Sequence, residues 1–468
     1  MKETILVPTI NELKAERCRK EFFYFLKEFW EIIIPEDPIY NWHIPYLCGE
    51  LQKVVEKVVK REVKDYDLVI NISPGETKST LVTVMLPVWA WIRDASIRTL
   101  TASYSASLST DHSIKSRDII RSDKFKRYFP EINLKKDQDG KTHYKNEDGG
   151  ERYATSVTGS ITGFHAHLLI VDDPLNPKEA ASDVERERAN EFMDITLSTR
   201  KVNKSVTPTI LVMQRLHQKD CTGNWLSKDK NIKHICLPGE LSRDVKPVEL
   251  KEKYIDGLMN ATRLTHQDLK ELKTNLGSYG YAGQIMQTPT PLDGGIWKKW
   301  INGIPDADFP DKLESLGSDW DLAYTQKETN SASAYVTAGM HEGAMYIDDI
   351  GFEWLEFPAL MAYMKSKKAP HYIEGKASGK SAKQTLTNNG IPAVEVKVDG
   401  GDKVARAMLA TPFAEAGMVN CRQSVLNKLY HDSKQGILVF PNGEHDDLED
   451  ALVQSINRLL NQPKTFFF

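Results

Sequence analysis

At 468 residues the chain is long enough for two or three domains, and its 40% hydrophobic and 27% charged content is that of an ordinary globular protein. A net charge of −4 excludes a globally basic nucleic-acid binder, so any grip on DNA has to come from local basic surface. The five cysteines lack ligand spacing and read as free thiols, no apolar run nears the ~20 residues that cross a bilayer, and the N-terminus has no signal-peptide pattern, so a soluble cytoplasmic protein is expected.

Residues 11–60 read as helices, with Glu12 to Trp30 and Tyr46 to Val63 apolar at helical spacing and separated by Pro35-Glu36-Asp37-Pro38. From Tyr66 the pattern alternates. Strands are expected at 67–72, 97–103, 152–158, 167–171 and 207–214, and helices at 79–91, 110–121 and 179–197. Such alternation predicts a mostly parallel sheet covered on both faces, with ligands at the carboxyl ends of its strands. Lys78 and Asp172 fall at such ends. Prolines and glycines cluster in 286–310, which reads as a connection. Beyond it, strands at 314–323, 333–339 and 344–352 come in succession, followed by a helix at 358–367, a strand at 371–374, a helix at 382–388, a strand at 392–398 and helices at 403–416 and 446–460. Three strands and then alternation is the order of an RNase H-like fold. The fold class is therefore α/β in both halves: a helical segment over 1–60, a nucleotide-binding domain over 61–285, and an RNase H-like domain over 311–468.

The segment Gly75-Glu76-Thr77-Lys78-Ser79-Thr80 lies where an apolar strand gives way to a helix. A phosphate-binding loop needs backbone N–H groups at a helix N-terminus, a lysine for the phosphates and a hydroxyl for Mg²⁺. Here Ile72 and Thr77 stand where the usual two glycines belong, and an ordinary strand–turn–helix is the bland alternative. The later run Leu168-Leu169-Ile170-Val171 ends in Asp172-Asp173-Pro174. A carboxylate at such a strand end, Asp172, can hold Mg²⁺, and its neighbour Asp173 can activate the attacking water. A helix N-cap pair is the alternative.

In the second half, Asp319 and Asp321 share one strand face, Glu374 ends a strand, and Asp446, Asp447 and Asp450 open the last helix. Acids at a helix N-terminus also favour its dipole without any further role. An acid inside one strand and another ending a second are not explained that way. Several converging carboxylates suit two-metal hydrolysis of phosphodiesters with Mg²⁺ or Mn²⁺. Asp319, Glu374 and Asp447 are the expected catalytic set, with Asp446 and Asp450 as further metal ligands.

These blocks, together with Gly159-Ser160-Ile161-Thr162-Gly163 and Gln214-Arg215-Leu216-His217-Gln218-Lys219-Asp220, resemble the large terminase subunit of tailed bacteriophages along nearly the whole chain. The resemblance implies an ATPase that moves double-stranded DNA into a procapsid and a metal-dependent endonuclease that cuts concatemeric DNA. It assigns Gln214 and Arg215 to γ-phosphate sensing, with a capping or interface cluster as the alternative. It also implies as partners the portal protein, a small terminase subunit and further copies of the chain in a ring of five. The resemblance further implies a setting in the host cytoplasm, outside the finished virion and away from any membrane. Related loops keep an arginine just before the lysine, which is missing here, so Arg117, Arg121 and Arg152 are candidates to act on a neighbouring subunit's nucleotide. Asn41-Trp42-His43 is a candidate neighbour of adenine or a packing contact. Lys403 and Arg406 are candidate phosphate contacts or a solvated helix face. A helicase with an accessory nuclease and a catalytically decayed DNA-binding scaffold are the competing functions.

Overall fold

The run Asp67–Ile72 is buried on both faces and forms β1, the strand that ends in the lysine loop. In the computed structural model of the chain, eight strands build the first sheet: β1, β2 (Arg98–Ser103), β3 (Leu134–Asp139), β4 (His143–Asn146), β5 (Glu151–Ser156), β6 (Leu168–Asp172), β7 (Thr209–Met213) and β8 (Ile232–Leu237), in the order β3-β4-β5-β2-β6-β7-β1-β8. The structure describes residues 8–461 except 162, 229–230, 290–294, 324–330, 376, 398–401, 442 and 444, and the side chains of 377–378. The six strands from β5 to β8 are parallel, and only β4, between β3 and β5 at the edge, runs against the rest.

Alternate residues of the central strands enter different cores. Leu68, Ile70 and Ile72 meet the N-terminal helices Ile10–Lys20, Phe22–Phe29 and His43–Val59 and the helix after the lysine loop. Val69 joins Leu169, Val171, Leu211 and Met213 on the other face, against Phe192, Met193, Leu197 and Trp225. Burial of every residue in β6 and β7 explains why they read as unbroken apolar runs.

The second sheet holds β9 (Asn302–Ile304), β10 (Glu314–Asp321), β11 (Ser333–His341), β12 (Ala344–Glu353), β13 (His371–Glu374), β14 (Ala393–Val396) and β15 (Val419–Arg422), ordered β14-β13-β10-β11-β12-β15-β9. β10, β11 and β12 are antiparallel, and β13 and β14 run parallel to β10 on its other side. This is the RNase H-like arrangement. One face packs on the helices Lys403–Glu415, Gln423–His431 and Asp447–Leu460, the other on Phe357–Lys365 and Ala377–Asn388. Within the connection expected over 286–310, β9 pairs with β15, and residues 290–294 lie outside the described residues. The chain divides into two units, Met1–Leu269 with Gly280–Thr290 and Lys270–Tyr279 with Pro291–Phe468.

Candidate functional site

Three neighbouring strands of the first sheet, β6, β7 and β1, end in Asp172-Asp173, Gln214 and the lysine loop. The loop turns twice through left-handed backbone, at Gly75 (φ +79°) and Thr77 (φ +67°). Glycine adopts the first at no steric cost, whereas a β-branched residue at the second is strained. The helix that follows is loosely wound over Thr80–Met85, with Leu86 N–H reaching back five residues to Leu81, and tightens over Leu86–Arg93. Such local widening recurs at functional sites.

Lys78 and Asp173 form an ion pair, Nζ to Oδ2 3.0 Å, with both side chains largely buried. Asp173 sits at φ +45° and its Oδ1 accepts the Gln214 backbone N–H at 3.2 Å. Asp172 is fully buried and accepts hydroxyl hydrogen bonds from Ser79 (3.1 Å) and Thr83 (2.8 Å). His112 Nδ1 lies 3.6 Å from the same carboxylate, and burial lowers the His112 pKa to about 4, so the ring is neutral near pH 7. Burial pushes both aspartates above the usual carboxylate range, and the Lys78 ammonium is the chief opposing influence. A lysine, a hydroxyl and two carboxyls at one sheet end, beneath a loop with positive-φ turns, form an anion cradle with cation-binding donors behind it. Ser79 and Asp172, hydroxyl and carboxylate already in contact, fit a hard Mg²⁺ ion.

Other expected residues fall elsewhere. Glu76 points away from the loop mouth into a buried network: its Oε2 accepts from Asn260 Nδ2 at 2.8 Å and lies 3.5 Å from His43 Nε2. His43 also contacts the Glu76 backbone oxygen at 3.3 Å, and Asn41 and Trp42 both donate to the Met259 carbonyl. The Asn41-Trp42-His43 segment therefore buttresses the loop from behind. Arg263 Nη1 donates to the Gly75 carbonyl at 2.9 Å, a contact no sequence pattern marked.

Arg215 departs from the phosphate-sensing expectation. Its Nε donates to both oxygens of Asp220, which also takes the N–H groups of Leu216, His217 and Gly223 and so caps the helix Cys221–Leu226. The Gln214-to-Asp220 block is in this respect a self-capped turn. Arg152 is 1% exposed with Nη2 on the Thr83 carbonyl, and Arg117 is also buried, so neither presents a free guanidinium. Arg121 is half exposed but paired with Asp139.

In the second unit Asp319 does not fit the metal-ligand role. It is fully buried, and its carboxylate accepts Arg458 Nε (3.1 Å to Oδ1, 2.9 Å to Oδ2), Arg458 Nη2 (2.8 Å), Ser455 Oγ (2.6 Å) and Gln454 Nε2 (3.3 Å). Both oxygens are spent on the last helix, which makes Asp319 one half of a buried ion pair. Asp446 and Asp450 are also engaged: Lys403 Nζ is 2.5 Å from Asp446 and 2.7 Å from Asp450, and Arg406 Nη2 is 2.8 Å from Asp450. The same contacts take Lys403 and Arg406 from the phosphate role.

Asp321 is the strand carboxylate whose register places it beside Glu374. β10 and β13 pair in parallel with Asp319 beside Tyr372 and Trp320 beside Ile373, so Asp321 and Glu374 follow side by side at the strand ends. Trp320 and Ile373 enter one core, whereas Asp319 and Tyr372 meet Arg458 on the opposite face, and alternation puts Asp321 and Glu374 on that second face. Asp447 opens the helix covering this face. Its Oδ2 accepts the Ala332 N–H at 2.9 Å and Gln435 Nε2 at 2.8 Å, beside the start of β11, whose Ala334 pairs with Asp321. Among the described residues no three His, Cys, Asp or Glu side chains stand close enough to make a ready metal cluster. The donor set is all carboxylates, Asp321 and Glu374 on one sheet face and Asp447 on the helix that covers it, and fits a hard divalent cation in chemistry.

No family model matches the chain, and no curated protein matches it. Solved structures do. The large terminase of a thermophilic bacteriophage is 12% identical, over 88% of this chain and 98% of that one, with a TM-score of 0.49. The chain is similar to large terminases along most of its length. The large terminase of bacteriophage HK97 is 13% identical over 89% of this chain and 91% of its own, with a TM-score of 0.38. The large terminase nuclease of the thermophilic phage G20c, with bound magnesium, is 14% identical over 36% of this chain and 100% of its own, with a TM-score of 0.25.

Proposed function

We propose that the chain is a DNA-packaging motor subunit of the large terminase kind, with an ATPase in its first unit and a metal-dependent endonuclease in its second. The observation that carries this reading is the cluster of Lys78, Ser79, Asp172 and Asp173 at the ends of β1 and β6. Ser79 and Asp172 would hold Mg²⁺, which supplies positive charge opposite the phosphates when bound. Gly75, Thr77 and Thr80 shape the turn around the phosphates, and Lys78 leaves Asp173 for the incoming γ-phosphate. That exchange frees Asp173 Oδ2 to take a proton from the attacking water, while the Gln214 N–H keeps the carboxylate oriented through Oδ1. Gln214 thus acts through its backbone. In the second unit Asp321, Glu374 and Asp447 would hold Mg²⁺ or Mn²⁺ against the scissile phosphodiester.

ATP is the proposed substrate of the first activity, and double-stranded DNA is the polymer it moves and the second activity cuts. The portal protein, a small terminase subunit and a ring of five copies are the proposed assembly in the host cytoplasm. γ-Phosphate release by the purified chain with Mg²⁺, and nicking of supercoiled plasmid with Mn²⁺, test the two halves. The absence of both, in protein shown to be folded by calorimetry, refutes the proposal.

A further inference from the structure

Helix Asp447–Leu460 carries one arginine on the face turned toward β10 and β13, and its guanidinium uses every nitrogen. Nε and Nη2 bind Asp319 of β10, and Nη1 donates to the Ser315 carbonyl at 3.0 Å. Ser315 stands at φ +51° in an irregular stretch of the same strand, between Glu314 and Gly317. Nη2 also reaches the Ala338 carbonyl of β11 at 3.3 Å, and the guanidinium carbon lies 4.1 Å from the centre of the Tyr372 ring on β13. Four elements meet at one buried side chain that is 9% exposed.

Three of those elements carry the carboxylates assigned to the nuclease centre. Asp321 is two residues beyond Asp319 on the same face of β10, and Glu374 is two residues beyond Tyr372 on β13. Asp447 lies eleven residues before Arg458 on one helix, about three turns along it. Gln454 repeats the bridge: its Nε2 donates to Asp319 Oδ1 at 3.3 Å and to the Tyr372 carbonyl at 3.0 Å. The ion pair thus ties together the two strands and the helix that carry the three carboxylates.

We propose that Arg458, with Asp319 as its counter-ion, is the positioning residue of the nuclease centre, fixing how far apart the strands and helix hold Asp321, Glu374 and Asp447. This rests on the nuclease reading above. Arginine suits the task because its planar fork satisfies a carboxylate, two carbonyls and a ring face together, which an ammonium cannot. Groups that orient metal ligands without touching the ion change metal affinity by about 10–100-fold when they are mutated.

The test uses the full chain with three changes: Arg458→Lys, the charge-free pair Asp319→Leu with Arg458→Met, and Asp321→Asn. Mn²⁺ binding is read by titration calorimetry, plasmid cleavage as a function of Mn²⁺ concentration, and folding by thermal melting. Replacing both members of a buried pair by apolar residues need not destabilise a fold, so the double variant separates stability from positioning. The expected result is a Mn²⁺ midpoint raised about tenfold or more in both Arg458 variants, with cleavage recovered at high Mn²⁺. Asp321→Asn stays inactive at every Mn²⁺ concentration. If either Arg458 variant melts like the wild type and binds Mn²⁺ at the wild-type midpoint while Asp321→Asn is inactive, the positioning role is overturned. If Asp321→Asn binds Mn²⁺ and cuts normally, the nuclease assignment itself fails, and the inference with it.

Discussion

Replacing Lys78 with alanine should damage the protein even without nucleotide. Lys78 is the cation paired with Asp173, and Asp172 is fully buried one residue away. Removing one member of a buried ion pair costs about 3–5 kcal/mol, because the other charge is left without compensation. A unit of this size melts roughly 2–4 °C lower per kcal/mol lost, so the first unit should lose about 6 °C or more. The loss should also grow with pH. Without Lys78 the two carboxyls are held further above the unfolded value of 3.8, so they carry no penalty below that value and an increasing one as pH rises through their folded pKa. Differential scanning calorimetry at pH 5 and pH 8 reads both effects. Adding Asp173→Asn should restore most of the stability without restoring ATP turnover. Equal melting temperatures for wild type and Lys78→Ala at pH 8, or no rescue by Asp173→Asn, would refute the claim that this lysine neutralises the pair.

Thr77→Gly should relieve the left-handed strain at φ +67° and leave the loop competent, raising stability by up to about 1 kcal/mol in urea unfolding; a loss of more than that would mean the threonine side chain is needed where it stands. Burial lowers the His43 pKa to about 4, so its contribution is intact above the unfolded value of 6.5 and is lost as pH falls from 6.5 to 4. That loss is up to about 3 kcal/mol, and a His43→Gln variant should show a correspondingly shallower acid decline in urea midpoint; parallel declines in the two proteins would contradict it. Arg215→Ala should frustrate the cap on Cys221–Leu226 and lower thermal stability, with the KM for ATP little changed; a raised KM at unchanged stability would return Arg215 to the phosphates.

The parts of the fold legible from sequence were those where burial is uniform or periodic. Leu168–Asp172 and Thr209–Met213 are buried at every position, so their apolar runs could be read directly. The hairpin Leu134–Asp139 and His143–Asn146 escaped because β3 is an exposed edge strand with no buried residue to set an alternation. The Val419–Arg422 strand and the Gln423–His431 helix escaped because they are short and follow each other without a turn signal. The first site was legible because strand, loop and helix are contiguous around Lys78. The second was harder. Alternation puts Asp319 and Asp321 on one face, and only the distant Arg458 shows that Asp319 is held in a buried ion pair. Lys403 and Arg406 looked like basic surface until their partners, more than forty residues away, were in view.

The direct test of two active sites in one polypeptide is a paired assay of the full chain at a temperature well below its melting transition. ATP hydrolysis with Mg²⁺ and plasmid cleavage with Mn²⁺ would be measured for wild type, Lys78→Ala and Asp321→Asn. Each variant should lose one activity and keep the other. ATP turnover by Lys78→Ala at the wild-type rate, or cleavage by Asp321→Asn at any Mn²⁺ concentration, would contradict the account.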